Sequence, residues 1–205
     1  MPIFRHRSTG KRFLFIHIPR TAGRFICENI LINDCQEEHD DPWAMKNGVE
    51  LSHYHREYYE KYLDVKDIPH FAVVRNPVDR FISAEGHIGI VDSDLKVDRK
   101  LLNYLIKGDG ASKYYYHFRP QVEYISSKTH VWKYEDGIGK EFASWLSNIL
   151  DIDFVFDDNI GYCKSERSER MTKTPHLVNI INKFYKKDFD QFYQNQKVGR
   201  FSANL

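Results

Sequence analysis

Residues 13–25 read FLFIHIPRTAGRF, and the fold follows from how this stretch changes character along its length. Phe13 to Ile18 is a short, nearly continuous apolar run, the pattern of a strand buried inside a parallel sheet. Pro19 to Arg24 is turn-like, with Gly23 inside it. FICENILIND, residues 25–34, then reads as a helix of two to three turns. Strand, tight turn and helix follow one another directly, which is the repeating element of an α/β protein.

The same order recurs at residues 71–87, FAVVRNPVDRFISAEGH. Phe71 to Val74 is a second short buried strand. Asn76 is a helix cap, Pro77 occupies the first helical position, and Val78, Phe81 and Ile82 recur at helical spacing. Further along, Val131 to Tyr134 predicts a strand and Phe154 to Phe156 a short one. Phe142, Trp145, Leu146, Ile149 and Leu150 mark an amphipathic helix, as do Leu177, Ile180, Ile181 and Phe184. Leu101 to Ile106 reads as helical, and HFRPQVEYI, residues 117–125, as extended and then helical after Pro120. Asp34 to Gly48 and Asp157 to Lys173 read as loops. The alternation predicts an α/β fold with a central parallel sheet flanked by helices.

At 205 residues, the chain suits a single domain over residues 1–205. Apolar residues at 41% and aromatics at 15% argue against disorder. Thirty Lys and Arg balance 29 Asp and Glu, so a strongly basic nucleic-acid binder is not expected. Cys27, Cys35 and Cys163 form no CxxC pair, which argues against a disulfide framework and suits a reducing compartment. No apolar run approaches the ~18–20 residues that cross a bilayer. MPIFRHRSTGKRF lacks the features of a secretory leader, so no membrane association and a cytoplasmic location are expected.

Two segments carry chemistry. A strand-to-helix turn with small residues presents backbone N–H groups and the positive end of a helix dipole, which favour an anion. Ala22 and Gly23 allow close approach, and Arg20 and Arg24 add positive charge. The GxxxxGK[ST] loop of nucleoside triphosphatases is absent, which disfavours a P-loop kinase. In the second segment, Arg75 lies just past the strand's C-terminal end, where open α/β sheets bind ligands. Ser83 follows eight residues later with a hydroxyl. Arg80 is either a second anion ligand or a solvent-facing ion-pair partner.

Together these segments resemble the carbohydrate (Golgi-type, family 2-like) branch of the sulfotransferases that use 3′-phosphoadenosine 5′-phosphosulfate (PAPS). FIHIPRTAGRF resembles that family's 5′-phosphosulfate loop, F-x-H-x-P-K-T-A-G-[ST]-[ST]. FAVVRNPVDRFISA resembles its 3′-phosphate segment, R-[DN]-P-x-x-R-x-x-S. HFRPQVEYI resembles H-x-x-P-Q-x-x-Y-[LI]. VWKYEDGIGKEF resembles the strand followed by E-x-[LI], and IINKFYKKDFDQF resembles I-Y-x-x-D-[FY]-x-x-F. The five segments stand in family order across residues 12–193.

The resemblance implies a P-loop-like, three-layer sulfotransferase fold, PAPS as donor and adenosine 3′,5′-bisphosphate (PAP) as product. It implies a carbohydrate hydroxyl as acceptor and a scheme that requires no metal. It places Arg20 and the backbone of Thr21, Ala22, Gly23, Arg24 and Phe25 on the 5′-phosphosulfate, and Arg75 and Ser83 on the 3′-phosphate. Lys164 and Arg167 match a late basic loop that closes over the nucleotide; a solvated loop of mixed charge is the plainer alternative. The sequence departs from the family where Arg20 replaces Lys and where Arg24 and Phe25 replace two hydroxyl residues. These departures leave open a catalytically impaired homologue that binds adenosine bisphosphate or a glycan without transfer.

The acceptor needs a base. LSHYH, residues 51–55, follows a short strand expected at Val49 to Ser52 and offers His53 and His55, with His53 preferred on its placement. An imidazole with its ordinary pKa near 6.5 accepts a hydroxyl proton at working pH. Glu50 and Glu57 are weaker bases. A zinc site built on this pair with Cys35, His39, Asp40 and Asp41 matches no known ligand spacing. His17 reads as a packed core histidine. KYYYHF, residues 113–118, reads either as an acceptor lining or as ordinary packing.

Overall fold

A computed structural model describes residues 3–38, 41, 44–46, 49–88, 115–157 and 173–194. The described strands β1 (Ile3–His6), β2 (Arg12–Ile16), β3 (Cys35–Glu37), β6 (His70–Val74) and β7 (Thr129–Lys133) form one sheet in the order β3-β1-β2-β6-β7. Two further strands, β4 (Met45–Lys46) and β5 (Val49–Glu50), form a separate antiparallel pair.

The sheet is mixed, which corrects the expectation of a parallel one. β2, β6 and β7 run parallel, as their apolar runs predict. β1 pairs antiparallel with β2 and β3 antiparallel with β1. The cause is a hairpin: Gly10, at φ 70, donates its N–H to the His6 carbonyl at 2.9 Å and reverses the chain between β1 and β2. Cys35–Glu37, expected in a loop, forms the sheet's edge. Three residues are too few to display the two-residue alternation of a strand.

Alternation on the central strands divides the core. Phe13, Phe15, Phe71 and Val73 belong to one cluster, and Leu14, Ile16, Ala72 and Val74 to the other. Phe15 and Phe71 are register partners, and their rings stack with centroids 4.7 Å apart. Each such buried aromatic contributes on the order of 1.5–3 kcal/mol. The first cluster is completed by Ile26, Ile30 and Leu31 and by Phe142, Leu146 and Leu150. Ile26, Ile30 and Leu31 come from the helical run that follows β2. It consists of α1 (Gly23–Ile26), a π-helical turn Cys27–Leu31 and α2 (Ile32–Asp34). The other three come from α6 (Lys140–Leu150), whose apolar stripe was legible in the sequence.

The second cluster includes Tyr59 of α3 (Arg56–Tyr62), with Phe189 and Phe192 of α8 (Lys186–Phe192) packed against it. A third, smaller cluster joins Phe81 and Ala84 of α4 (Pro77–Ile88) to Leu177 and Ile181 of α7 (Pro175–Phe184) and to Phe118 of α5 (Tyr115–Phe118). The protein is therefore α/β, a five-stranded mixed sheet flanked by helices.

Two local expectations change. Phe154 to Phe156 is not a strand. The Phe154 amide donates to Ser147 Oγ at 2.9 Å, and its ring meets Phe13 edge-on at 6.2 Å. The alternating aromatics dock onto the core without joining a ladder. After Pro120 the chain makes only a 3₁₀ turn, Gln121–Glu123, and the helix lies before the proline in α5. The expected helix at Leu101–Ile106 lies outside the described residues, as does nearly all of the loop at 157–173. Among the described residues, no helix is long and apolar enough to cross a membrane.

Candidate functional site

The C-terminal ends of β2 and β6 meet at one edge of the sheet, and both expected anion-binding turns leave from there. In the first turn Arg20 and Ala22 hold φ of 68° and 72°, in the left-handed region that non-glycine residues rarely occupy. Such residues cost on the order of 1–3 kcal/mol each and persist where their surroundings hold them. Thr21 supplies part of that hold: it is fully buried, and its hydroxyl donates to the Ile18 carbonyl at 2.8 Å. Gly23 is required by space rather than by φ. A Cβ there would lie 1.9 Å from Cδ2 of His17, so the helix start rests directly on that ring.

The first helical bond back to the turn runs from the Ile26 N–H to the Ala22 carbonyl at 3.0 Å. The N–H groups of Gly23, Arg24 and Phe25, in the first turn of the helix, have no intrahelical acceptor. The Arg24 side chain points elsewhere: it is exposed and pairs with Glu28 at 2.7 Å, a surface contact of little energetic weight. The Phe25 ring is half-buried beside Phe156.

The second turn is built as its sequence predicts. Asn76 Oδ1 accepts from the Val78 N–H at 3.0 Å, and Pro77 opens α4. Two helical turns on from Arg75, the Ser83 hydroxyl accepts from Arg20 Nε at 3.1 Å. Arg75 Nη1 donates to the Arg20 carbonyl at 3.3 Å, and its guanidinium lies over the Tyr134 ring, 4.4 Å from the centroid. Arg75 Nε is buried and has no hydrogen-bond partner among the described residues. The structure thus brings Arg20, Arg75 and Ser83 to one place from sequence positions 55 and 63 residues apart.

Arg80 is neither a solvent-facing ion-pair partner nor an exposed anion ligand. It is 1% exposed and donates to the backbone carbonyls of Pro19, His117 and Arg119. It ties the first turn to α5.

The histidines divide. His53 ends a 3₁₀ turn, Leu51–His53, and its Nδ1 donates to the His17 carbonyl at 3.1 Å. A carbonyl only accepts, so the proton sits on Nδ1 and Nε2 carries the lone pair. Nε2 faces Glu50 Oε2 at 3.5 Å, and Glu50 also accepts from the Tyr116 hydroxyl at 3.0 Å. Burial, with the nearby His17 adding to it, lowers the His53 pKa well below its ordinary value. His55 instead stands at the N-cap position of α3 without a side-chain capping bond, beside Tyr58 and Glu57, and burial lowers its pKa to about 4.

His17 is packed as expected, stacked on Phe15, and burial lowers it to about 3. Among the described residues no three His, Cys, Asp or Glu side chains converge on a metal position. His39, Asp40, Lys164 and Arg167 lie outside the described residues.

Three residues of this edge were not singled out by sequence reasoning. His117 is 8% exposed, its ring centroid lies 5.8 Å from that of His53 and 5.5 Å from that of His87, and its Nδ1 has no hydrogen-bond partner among the described residues. Gln121 and Asp188, both fully buried, bond to or around the Arg75 backbone. Only their places in the family-like segments marked them; neither spacing nor periodicity assigns them a role.

No protein-family model, no curated protein and no solved structure matches the chain.

Proposed function

We propose that this chain is a sulfotransferase that moves a sulfuryl group from PAPS to a carbohydrate hydroxyl. One observation carries the proposal. Arg20 of the segment resembling a 5′-phosphosulfate loop donates to Ser83 of the segment resembling a 3′-phosphate site, and Arg75 reaches back to the Arg20 carbonyl. The two segments that would hold the two ends of the donor's charge are in contact, at the strand ends where α/β sheets bind ligands. On this reading the mixed sheet is the P-loop-like sulfotransferase fold.

The chemistry assigned to these residues is charge placement. Arg20 and the helix-start N–H groups meet the phosphosulfate, and Arg75 and Ser83 meet the 3′-phosphate. The acceptor oxygen attacks sulfur, and its proton passes to His53 Nε2. The bond from sulfur to the bridging oxygen breaks, and its electron pair leaves on the 5′-phosphate of PAP. The transition state of such transfers is loose, so positioning and fixed charge supply most of the rate.

Incubation with PAPS carrying radioactive sulfur and a panel of oligosaccharides is the test. Label is expected to appear in an oligosaccharide as PAP is released. A second reading, donor binding without transfer, is motivated by Arg20, Arg24 and Phe25 standing where the family-like loop carries a Lys and two hydroxyl residues. It predicts tight PAP binding with no label in any acceptor.

A further inference from the structure

We infer that Gln121 and Asp188 are positioning residues that fix Arg75 and thereby set selectivity for a 3′-phosphate. This rests on the assignment of Arg75 made above.

The ladder between β6 and β7 ends at Val74 and Lys133, so Arg75 is the first residue beyond it. There the Gln121 side chain takes the place of a strand. Its Oε1 accepts from the Arg75 N–H at 2.9 Å, and its Nε2 donates to the Arg75 carbonyl at 2.8 Å. The amide orientation is forced, because the backbone N–H only donates and the carbonyl only accepts.

Asp188 of α8 holds Gln121 in turn. Its Oδ2 accepts from the Gln121 N–H at 2.9 Å and from Nε2 at 3.3 Å, and its Oδ1 accepts from the Val122 N–H at 3.0 Å. Both hydrogens of the Gln121 amide are therefore used. The next residue is held in the same way. The Asn76 N–H donates to Glu135 Oε1 at 2.6 Å, and Glu135 Oε2 accepts from the Tyr193 hydroxyl at 3.0 Å. Asp188 and Tyr193 both belong to the C-terminal segment, which thus frames the turn.

A fully buried carboxylate is costly unless its lone pairs are met. Here three N–H bonds and the charge of Arg80 oppose the burial that raises the Asp188 pKa. By contrast, the Arg75 guanidinium makes one long hydrogen bond and one ring contact among the described residues. Its place is set by its backbone, and its backbone is set by Gln121. Neither Gln121 nor Asp188 needs to touch a ligand to act.

The test compares the affinities of the full chain for PAP and for adenosine 5′-monophosphate, which lacks the 3′-phosphate. Wild type is expected to prefer PAP. Gln121→Leu is expected to lose ~10-fold or more in PAP affinity while keeping its monophosphate affinity, so that the ratio collapses. A merely structural role would lower both affinities together. Asp188→Asn, which retains one accepting oxygen, is expected to fall between. If Gln121→Leu fails to fold, Gln121→Glu reads the same ratio, because the carboxylate cannot donate to the Arg75 carbonyl. A preference kept intact in these variants overturns the inference alone. A wild type that binds both nucleotides equally overturns the assignment of Arg75, and the inference with it.

Discussion

His53→Ala is expected to slow sulfuryl transfer by ~10²–10⁴-fold, the usual loss for a general base, with PAP affinity unchanged. The geometry gives the reason. The bond from Nδ1 to the His17 carbonyl fixes the tautomer and aims the Nε2 lone pair outward from that contact. Burial keeps the ring neutral at pH 7, the form that accepts a proton. A proton arriving on Nε2 lies near Glu50 Oε2, 3.5 Å away, and that carboxylate favours the imidazolium as it forms. Turnover at saturating donor is the readout. His55→Ala is expected to change it far less, since His55 faces Tyr58 and Glu57. Wild-type turnover in His53→Ala would move the role to another group.

The second large effect is on stability. The melting midpoint is expected to fall steeply as pH drops from 7 to 5. His17 and His117 are lowered to about 3 and His55 to about 4, each chiefly by burial, and His53 is lowered as well. In the unfolded chain these imidazoles regain a pKa near 6.5. Below that value the unfolded state binds more protons than the folded one, so stability decreases with falling pH. The contribution is fully present above pH 6.5 and is lost at about 1.4 kcal/mol per pH unit for each group.

Glu37 works in the opposite direction. Burial raises it to about 7, so the folded state holds its proton first as pH falls. Asp188 is also raised. Four imidazoles outweigh these two carboxyls between pH 7 and 5. Thermal unfolding followed by circular dichroism at pH 7, 6 and 5 checks the effect. A flat midpoint would mean that these histidines are not buried as neutral groups.

What the sequence disclosed was local. FLFIHI and FAVV are short apolar runs bounded by turn residues, the pattern that suits a buried strand, and Asn76 with Pro77 is a helix start written in adjacent residues. The stripes of Phe142–Leu150 and Leu177–Phe184 repeat often enough to be read. Ile3–His6 and Cys35–Glu37 were hidden because short, half-polar strands carry too little pattern, and with them went the antiparallel half of the sheet.

The site divides on the same line. The strand-end rule places Arg75 at a ligand-binding edge, but the contacts of Arg20 with Ser83 and Arg75 are visible only in the structure. Side-chain direction is not written in a sequence: the positive charge of Arg24 turns to Glu28 on the surface. Spacing leaves Arg80 between an anion ligand and a solvent-facing ion-pair partner, whereas it is buried against three carbonyls. Gln121 and Asp188 act on Arg75 and on each other across 46 and 67 residues, where no local pattern reaches.

On the proposed function, one edge of the sheet holds a nucleotide with phosphate on both sides of its ribose. Isothermal titration of the wild-type chain with PAP, against ADP and with no metal added, tests it most directly. Micromolar binding of PAP that ADP does not match, lost in Arg75→Ala, is the expected result. Equal binding of the two nucleotides, or none, would contradict it and leave the Arg20, Ser83 and Arg75 contacts as structural ties between two turns and α4.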